Sequence, residues 1–221
     1  MNHIVIDFEF TPVTSSFVDR NILQYEIIEI GAVKLNDSYQ LIDSFSSYVQ
    51  PIYSKISKKC SMLTGITNKN LANAPSYTES VSRLIAWIGD EPFEIYEWSD
   101  SDKIQFVAEC NTKVCADSYR LLCDKEWIDL QKDFSVKTRQ KSATNLRKAL
   151  GMFNLFFEGR EHSACDDAYN TARILQILND KESVQEALPS NASMTFSSEK
   201  ATFTIGSLFS DKINQLYEIA V

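Results

Sequence analysis

The stretch His3-Ile-Val-Ile-Asp-Phe-Glu-Phe10 decides the fold, because its residues alternate as those of a β-strand do. Residues two apart in a strand point to the same face, so Asp7 and Glu9 share one face within about 7 Å of each other. The opposite face is apolar throughout and carries Ile4, Ile6, Phe8 and Phe10. Such a run is typical of a strand in the middle of a sheet, where charge is costly unless it is paired or binds a metal. The stretch therefore predicts a central strand whose carboxylates hold a divalent cation.

The composition predicts a soluble globular protein. The 221 residues are 44% hydrophobic and 11% aromatic, which is enough for one well-cored domain and an appendage. No basic-then-apolar segment opens the chain, and no run approaches the roughly 18 apolar residues of a membrane span. We therefore expect no secretion signal, no membrane partner and a cytoplasmic location.

The five cysteines lack the paired spacing of a disulfide framework, which favours reduced thiols. Cys110, Cys115 and Cys123 suggest a zinc site, but they lack the two-residue spacing of zinc ligands and have no nearby histidine. Buried thiols that pack as small apolar side chains are the favoured interpretation. The chain has only two histidines and no Gly-rich phosphate loop, which disfavours a His-ligated zinc hydrolase.

The charge of the chain is unevenly distributed. Its formal net charge of -8 argues against a protein that wraps nucleic acid without regard to sequence. Between Lys132 and Lys148, however, basic residues far outnumber the single acid, Asp133. A solvated helix face and loop explains this basic segment by itself; in a nuclease it would also offer a track for phosphates.

The segment after the first strand predicts an antiparallel meander. Residues 25–35 and 39–50 have the composition of two further strands, with a short polar turn between them and Pro51 at the end. Successive strands joined by short turns favour antiparallel pairing. Glu26 and Glu29 lie three apart on the second strand and so face opposite ways, and we interpret both as solvent or edge positions.

The remainder alternates helices with strands, which indicates an α/β fold. The pattern predicts a helix from Pro75 to Gly89, a strand over 93–98, a helix through Ile104 to Cys110, a strand over 127–130 and a helix over 142–150.

A last helix follows His162. Its small side chains form a stripe at helical spacing, with Ala164, Ala168, Ala172 and Leu175. Asp167 lies beside this stripe, on the side that faces the core, and the alanines let the helix approach a sheet closely. Asp166 points a quarter turn away, where it would interact with the helix dipole.

The composition changes beyond Asn179, and we divide the chain into a domain over residues 1–182 and an extension over residues 183–221. Residues 189–200 are Ser-rich and predict a linker. Residues 201–205 predict a strand, and the apolar spacing around Ile213 and Leu216 predicts an amphipathic helix.

Four carboxylates from three distant segments suit a pair of Mg²⁺ or Mn²⁺ ions, since these hard cations prefer oxygen ligands. Two ions about 3.5–4 Å apart can clamp the attacking and leaving oxygens of a phosphoryl group. Asp7 would bridge both ions, Glu9 and Asp167 would complete the ion that activates water, and Asp102 would support the second. His162 would be the general base. Asp100 is the alternative to Asp102, at the same strand-to-helix turn.

This chain resembles the DEDDh 3′-to-5′ exonucleases of the RNase H-like fold. The three motifs that carry the resemblance are Asp7-Phe-Glu9, Asp102 after a Trp-containing strand, and His162 with Asp167 five residues on. The intervening stretches Glu26-Ile-Ile-Glu-Ile-Gly-Ala-Val33 and Leu63-Thr-Gly-Ile-Thr67 are similar to the histone-mRNA-type and RNA-interference-limiting 3′ exonucleases and their bacterial relatives. The resemblance covers residues 1 to about 180.

The resemblance implies a three-layer α/β/α fold with a mixed five-stranded sheet. It implies an enzyme that removes 5′-mononucleotides one at a time from the 3′ end of single-stranded RNA or DNA. Phe10 and Thr11 would hold the terminal nucleotide, with Trp98 and Leu63 nearby; a core position is an equally good interpretation of Phe10.

Two other functions stay open from the sequence. One is an endonuclease on the same fold, which His162 disfavours, and the other is a non-catalytic module that binds nucleic acid or protein. The sequence leaves the choice between RNA and DNA and the oligomeric state undecided.

Overall fold

The structure, a computed structural model, describes residues 1–113, 119–180 and 184. Its strands are β1 (Asn2–Pro12), β2 (Tyr25–Leu35), β3 (Leu41–Tyr48), β4 (Phe93–Glu97) and β5 (Trp127–Asp129). They form one sheet in the order β3-β2-β1-β4-β5. The pairs β1/β2 and β2/β3 are antiparallel, whereas β1/β4 and β4/β5 are parallel. The predicted mixed five-stranded sheet that opens with an antiparallel meander is confirmed.

Helices cover both faces of this sheet. Those that the structure describes are α1 (Lys58–Thr64), α2 (Asn68–Leu71), α3 (Tyr77–Ile88), α4 (Ser101–Thr112), α5 (Arg120–Asp124), α6 (Leu130–Lys137), α7 (Leu146–Met152) and α8 (Ala164–Leu178). On one face, α3 and α4 pack against Ile4, Ile6 and Phe8 of β1. On the other face, α6, α7 and α8 pack in a second core that includes Val5. Asp7 and Glu9 share the face of Val5, so they point towards the α8 side.

Gly31 on β2 lets α8 approach the sheet with no side chain in between. A Cβ on Gly31 would lie 2.1 Å from the carbonyl carbon of Ala164, the first residue of α8. Ala164 and Ala168 are fully buried, as expected of the stripe of small residues. Gly31 is paired with Asp7 in the β1/β2 register. The start of α8 is therefore placed over the strand that carries the carboxylates.

The interpretation of Glu26 and Glu29 as solvent or edge positions is wrong, because both are buried. Glu26 accepts hydrogen bonds from the two backbone N–H groups of residues 52–53, at 2.7 and 2.9 Å. Its carboxylate also lies 3.0 Å from the Lys113 ammonium, which pairs with the buried Glu109 at 2.5 Å. Buried charges persist only when they are paired and hydrogen-bonded in this way. The network attaches the C-terminal end of α4 to β2.

Several element boundaries differ from the prediction, and the structure gives the reason for two of them. β3 begins at Leu41 because Tyr39 has a left-handed backbone, with φ of 57°, in the preceding turn. β5 ends at Asp129, whose side chain accepts a hydrogen bond from the Lys132 N–H and so starts α6. The sequence prediction missed the short helices α1, α2 and α5, and it also missed α6, which is eight residues long.

The cysteines support the interpretation as protonated, packed thiols. Burial and a hydrogen bond with Cys110 raise the pKa of Cys123 to about 12, so this sulfur is a poor metal ligand at neutral pH. Cys115 lies outside the described residues.

The predicted domain boundary and the extension over residues 183–221 lie outside the described residues, apart from Val184. Within the part of the chain that the structure describes, no helix is both long and apolar enough to cross a membrane.

Gly31→Ala should destabilise the fold by about 1–3 kcal/mol, because the added methyl group meets the backbone of α8. Gly151→Ala is the matched control, since a Cβ there meets nothing within 4 Å and alanine is the better helix former. Thermal and urea unfolding of the parent and both variants would measure the change in the free energy of unfolding. Equal stability of Gly31→Ala and the parent would contradict the close contact.

Candidate active site

Glu9, His162 and Asp167 come together on the α8 side of the sheet. Each offers a ligand atom, and these atoms all lie within 4.8 Å of one another. The Nδ1 atom of His162 is 3.9 Å from Glu9 Oε1. Glu9 is buried, whereas the His162 side chain is 32% exposed, so the site opens to solvent on the histidine side. Asp7, two residues before Glu9, is half-buried on the same face of β1.

His162 is held in an unusual backbone conformation. Its φ of 63° lies in the left-handed region, which costs free energy for a residue other than glycine. The chain takes this turn immediately before Ser163 and the start of α8. Because α8 is fixed against Gly31, the turn directs the imidazole back towards β1.

Asp102 reaches the site from the opposite face. Pairing of β1 with β4 ends at Val5 and Tyr96, so β1 has an open edge beyond that point. Asp102, in the first turn of α4, is 4% exposed and accepts a hydrogen bond from the Phe8 N–H at 2.9 Å. Its carboxylate is thus bonded to β1 between Asp7 and Glu9.

The acids interact through their charges. Burial, and then the charge of Glu97, raises the pKa of Asp102 well above its usual value, and Glu9 and Asp167 raise it further. Asp100, by contrast, is 61% exposed and pairs with Lys132 at 3.1 Å. The geometry therefore favours Asp102 over Asp100 as the acid of this site.

Glu97 is a buried acid that the sequence interpretation did not single out. It is 1% exposed and accepts a hydrogen bond from the Lys103 N–H at 2.8 Å. Burial raises its pKa to about 7, and the charges of Asp129 and Asp100 add to the shift. The alternation of β4 was the available signal, because it places Glu97 on the same face as the buried Ile95.

The residues predicted to contact substrate lie in different environments. Phe10 is half-buried beside the first core, and Leu63 is 37% exposed at the end of α1. Thr11 is fully buried, and its hydroxyl has no hydrogen-bond partner among the described residues. Trp98 is 4% exposed and packs against Phe134 with ring centroids 5.7 Å apart. The Trp98 ring faces the α6 side of the core, and the substrate roles of these four residues remain predictions.

The basic segment is partly neutralised. Lys132 pairs with Asp100 and Asp129, and Arg147 pairs with Glu161. The exposed residues Arg139, Lys141 and Lys148 have no ion pair within the described chain. The phosphate track remains a prediction.

A mixed five-stranded sheet between two helical layers, with acids converging at the end of its parallel pair, defines an RNase H-like nuclease fold. A family model described as an exonuclease matches residues 4–175. This chain belongs to the exonuclease family.

Three relatives illustrate the similarity. ERI1 exoribonuclease 2 of Danio rerio is 33% identical in an alignment of 196 positions, and the match covers 78% of this chain and 34% of that protein. The probable 3′-5′ exonuclease KapD of Bacillus subtilis (strain 168) is 26% identical over 188 residues, covering 84% and 89%. The solved nuclease domain of 3′hExo, a DEDDh family member bound to rAMP, is 26% identical with a TM-score of 0.68 and covers 87% of this chain and 97% of that one. The chain thus spans about a third of the zebrafish relative and most of the bacterial one.

Glu97 makes the stability of the metal-free protein depend on pH. Because its pKa is raised in the folded state, its contribution is present at low pH and is lost as pH rises through about 7. A shift of this size corresponds to up to roughly 3 kcal/mol. Glu97→Gln should lessen the fall in unfolding free energy between about pH 5 and pH 8, measured by urea unfolding in EDTA.

Glu126→Gln, at an exposed position, is the matched control and should retain the pH dependence of the parent. Equal pH dependence of Glu97→Gln and the parent would refute the burial argument.

Proposed function

We propose that this chain is a divalent-metal-dependent 3′-to-5′ exonuclease that releases 5′-mononucleotides from single-stranded RNA. The observation that carries the proposal is the convergence of Glu9, His162 and Asp167, with Asp102 bonded to β1 beside them. Relatives named as exoribonucleases support RNA over DNA. A cytoplasmic location is a prediction from the sequence that accompanies this proposal.

The donor set fits hard divalent cations. Asp7, Glu9, Asp102 and Asp167 offer carboxylate oxygens, which suit Mg²⁺ or Mn²⁺. Burial, and then the charges of neighbouring acids that include Glu9 and Asp167, raise the pKa of Asp102, and bound cations would offset this cost of ionisation. Four carboxylates are enough for two ions, and such a pair supplies activation of water and neutralisation of the phosphoryl charge.

His162 is suited to accept a proton from the attacking water. Its ring lies with Nδ1 towards Glu9 Oε1, so a proton taken at Nε2 gives a cation that the Glu9 carboxylate stabilises. The side chain is partly exposed, so water reaches it from solvent. Asp102 holds the strand that carries Asp7 and Glu9 through the Phe8 N–H.

The candidates for contact with the 3′-terminal nucleotide are Phe10, Thr11, Leu63 and Trp98, of which Phe10 and Leu63 are the more exposed. Leu63 is exposed, and its carbonyl accepts a hydrogen bond from Arg160, which precedes His162 by two residues. The loop of His162 and the end of α1 are therefore neighbours. The exposed Leu63 side chain beside this loop offers an apolar surface against which a base can pack.

Asp102→Asn should lower kcat by about 100-fold or more, because it removes a carboxylate from the ligand set. Asp100→Asn is the matched control and should stay within about threefold of the parent, because exposed ion pairs contribute little. The rate at which 5′-labelled RNA is shortened in Mg²⁺ measures kcat for both variants. A loss in Asp100→Asn alone would reverse the assignment.

His162→Ala should lower kcat by about 10²–10⁴-fold and leave RNA binding largely intact, as expected for loss of a general base.

EDTA should abolish activity in the parent, and added Mg²⁺ or Mn²⁺ should restore it.

A circular RNA and a 3′-blocked RNA separate the remaining functions. Neither should be cut by an exonuclease that needs a free 3′ end. Cleavage of the circle would establish the endonuclease, and RNA binding without any mononucleotide release would establish the binding module. The rate on a DNA strand of the same sequence shows whether the enzyme distinguishes ribose from deoxyribose.

A further inference from the structure

The two helices that carry acids of the site are not capped by their own N-cap side chains. Among the six other helices of the described residues, α5 also lacks such a cap, and five are capped through Ser57, Thr67, Ser76, Asp129 and Asn145. The N-cap residues of α4 and α8, Asp100 and Ser163, make no such hydrogen bond. The first N–H groups of a helix need acceptors when they are buried. For both helices a buried glutamate on a neighbouring strand supplies one.

Glu29 on β2 is the acceptor for α8. Its Oε2 atom lies 3.1 Å from the backbone nitrogen of Ala164, the first residue of the helix. Two residues further along β2, Gly31 is in contact with the same Ala164. The start of α8 is therefore fixed to β2 at two adjacent points, one a hydrogen bond and the other a backbone contact.

This attachment determines where His162 and Asp167 lie. They come two residues before and three residues after Ala164, so both move with the start of the helix. Glu29 lies directly opposite Glu9 in the pairing of β1 with β2. Glu9 is therefore connected to the start of α8 through one cross-strand neighbour, Glu29. Within the described chain, the group of ligand atoms within 4.8 Å is formed by Glu9, His162 and Asp167, without Glu29.

Glu29 occupies a costly position for an acid. Burial raises its pKa, and the nearby charge of Asp166 adds to this, whereas the Ala164 N–H and the charge of Arg160 lower it. An amide side chain of the same length would accept the same hydrogen bond without a buried charge. The acceptor atom, and not the charge, is thus what α8 requires of this position.

We infer that Glu29 is a positioning residue for the reaction: by capping α8 from β2, it fixes the distances of His162 and Asp167 from Glu9. The inference rests on the proposed function. Its structural part, that loss of the cap loosens the metal site, holds for the protein without substrate as well.

Glu29→Met and Glu29→Ala remove the acceptor, and methionine also keeps the volume. Both should weaken Mn²⁺ binding, measured by electron paramagnetic resonance without RNA, by about tenfold or more. Both should lower kcat by about 10–100-fold with little change in KM. Glu29→Gln should restore both quantities to within about threefold of the parent, because its side-chain oxygen still accepts from the Ala164 N–H.

Ser76→Ala is the matched control, since it removes a helix cap from α3, far along the chain from the site residues. It should lower the melting temperature and leave Mn²⁺ affinity and kcat unchanged. Parent-like Mn²⁺ affinity in Glu29→Met, or a Glu29→Gln variant as defective as Glu29→Met, would overturn the inference. A parent that binds Mn²⁺ but releases no mononucleotide would refute the proposed function alone, because the Mn²⁺ comparison still tests Glu29.

Discussion

The contact between Gly31 and Ala164 is the constraint on which the site depends. The helix α8, which carries Asp167 and directly follows the turn of His162, must come within ligand distance of a strand that carries Asp7 and Glu9. Side chains at the contact would hold the two backbones apart, and only the absence of a Cβ at Gly31 allows the observed approach. The alanine stripe of α8 serves the same end along the rest of the helix. Gly31 and the alanines of α8 therefore position the site residues although they take no part in the reaction.

Buried carboxylates then secure the elements around that contact. Glu26 binds the loop before α1 and Lys113, Glu29 binds the start of α8, and Asp102 binds β1. Glu97 does the same for α4 through the Lys103 N–H. Each acid accepts a backbone N–H from another segment, which satisfies a donor that burial would otherwise leave unpaired. Burial raises the pKa of Glu29, Glu97 and Asp102, so each of them favours its neutral, protonated form more than an exposed acid would.

The sequence predicted what local periodicity can express. The alternation of β1 gave the shared face of Asp7 and Glu9, and helical spacing placed Asp167 beside the alanines. Local periodicity did not reveal the burial of Glu29, because its hydrogen-bond donor, the Ala164 N–H, lies 135 residues further along the chain. The sequence favoured Asp102 and left Asp100 as the alternative at the same turn, and the hydrogen bond from the Phe8 N–H to Asp102 agrees with that preference. α6 was missed because eight residues give too short a pattern, although Asp129 is a typical cap.

The ion pairs of Lys113 with Glu26 and Glu109 hold the C-terminal end of α4 in place. α4 is anchored at its first turn to β1 through Asp102 and beyond its last turn to β2 through Lys113. Between these anchors lies a rod about 18 Å long. Because a helix of this length is stiff, the Asp102 bond and the Lys113 network together fix the position of α4 at both of its ends.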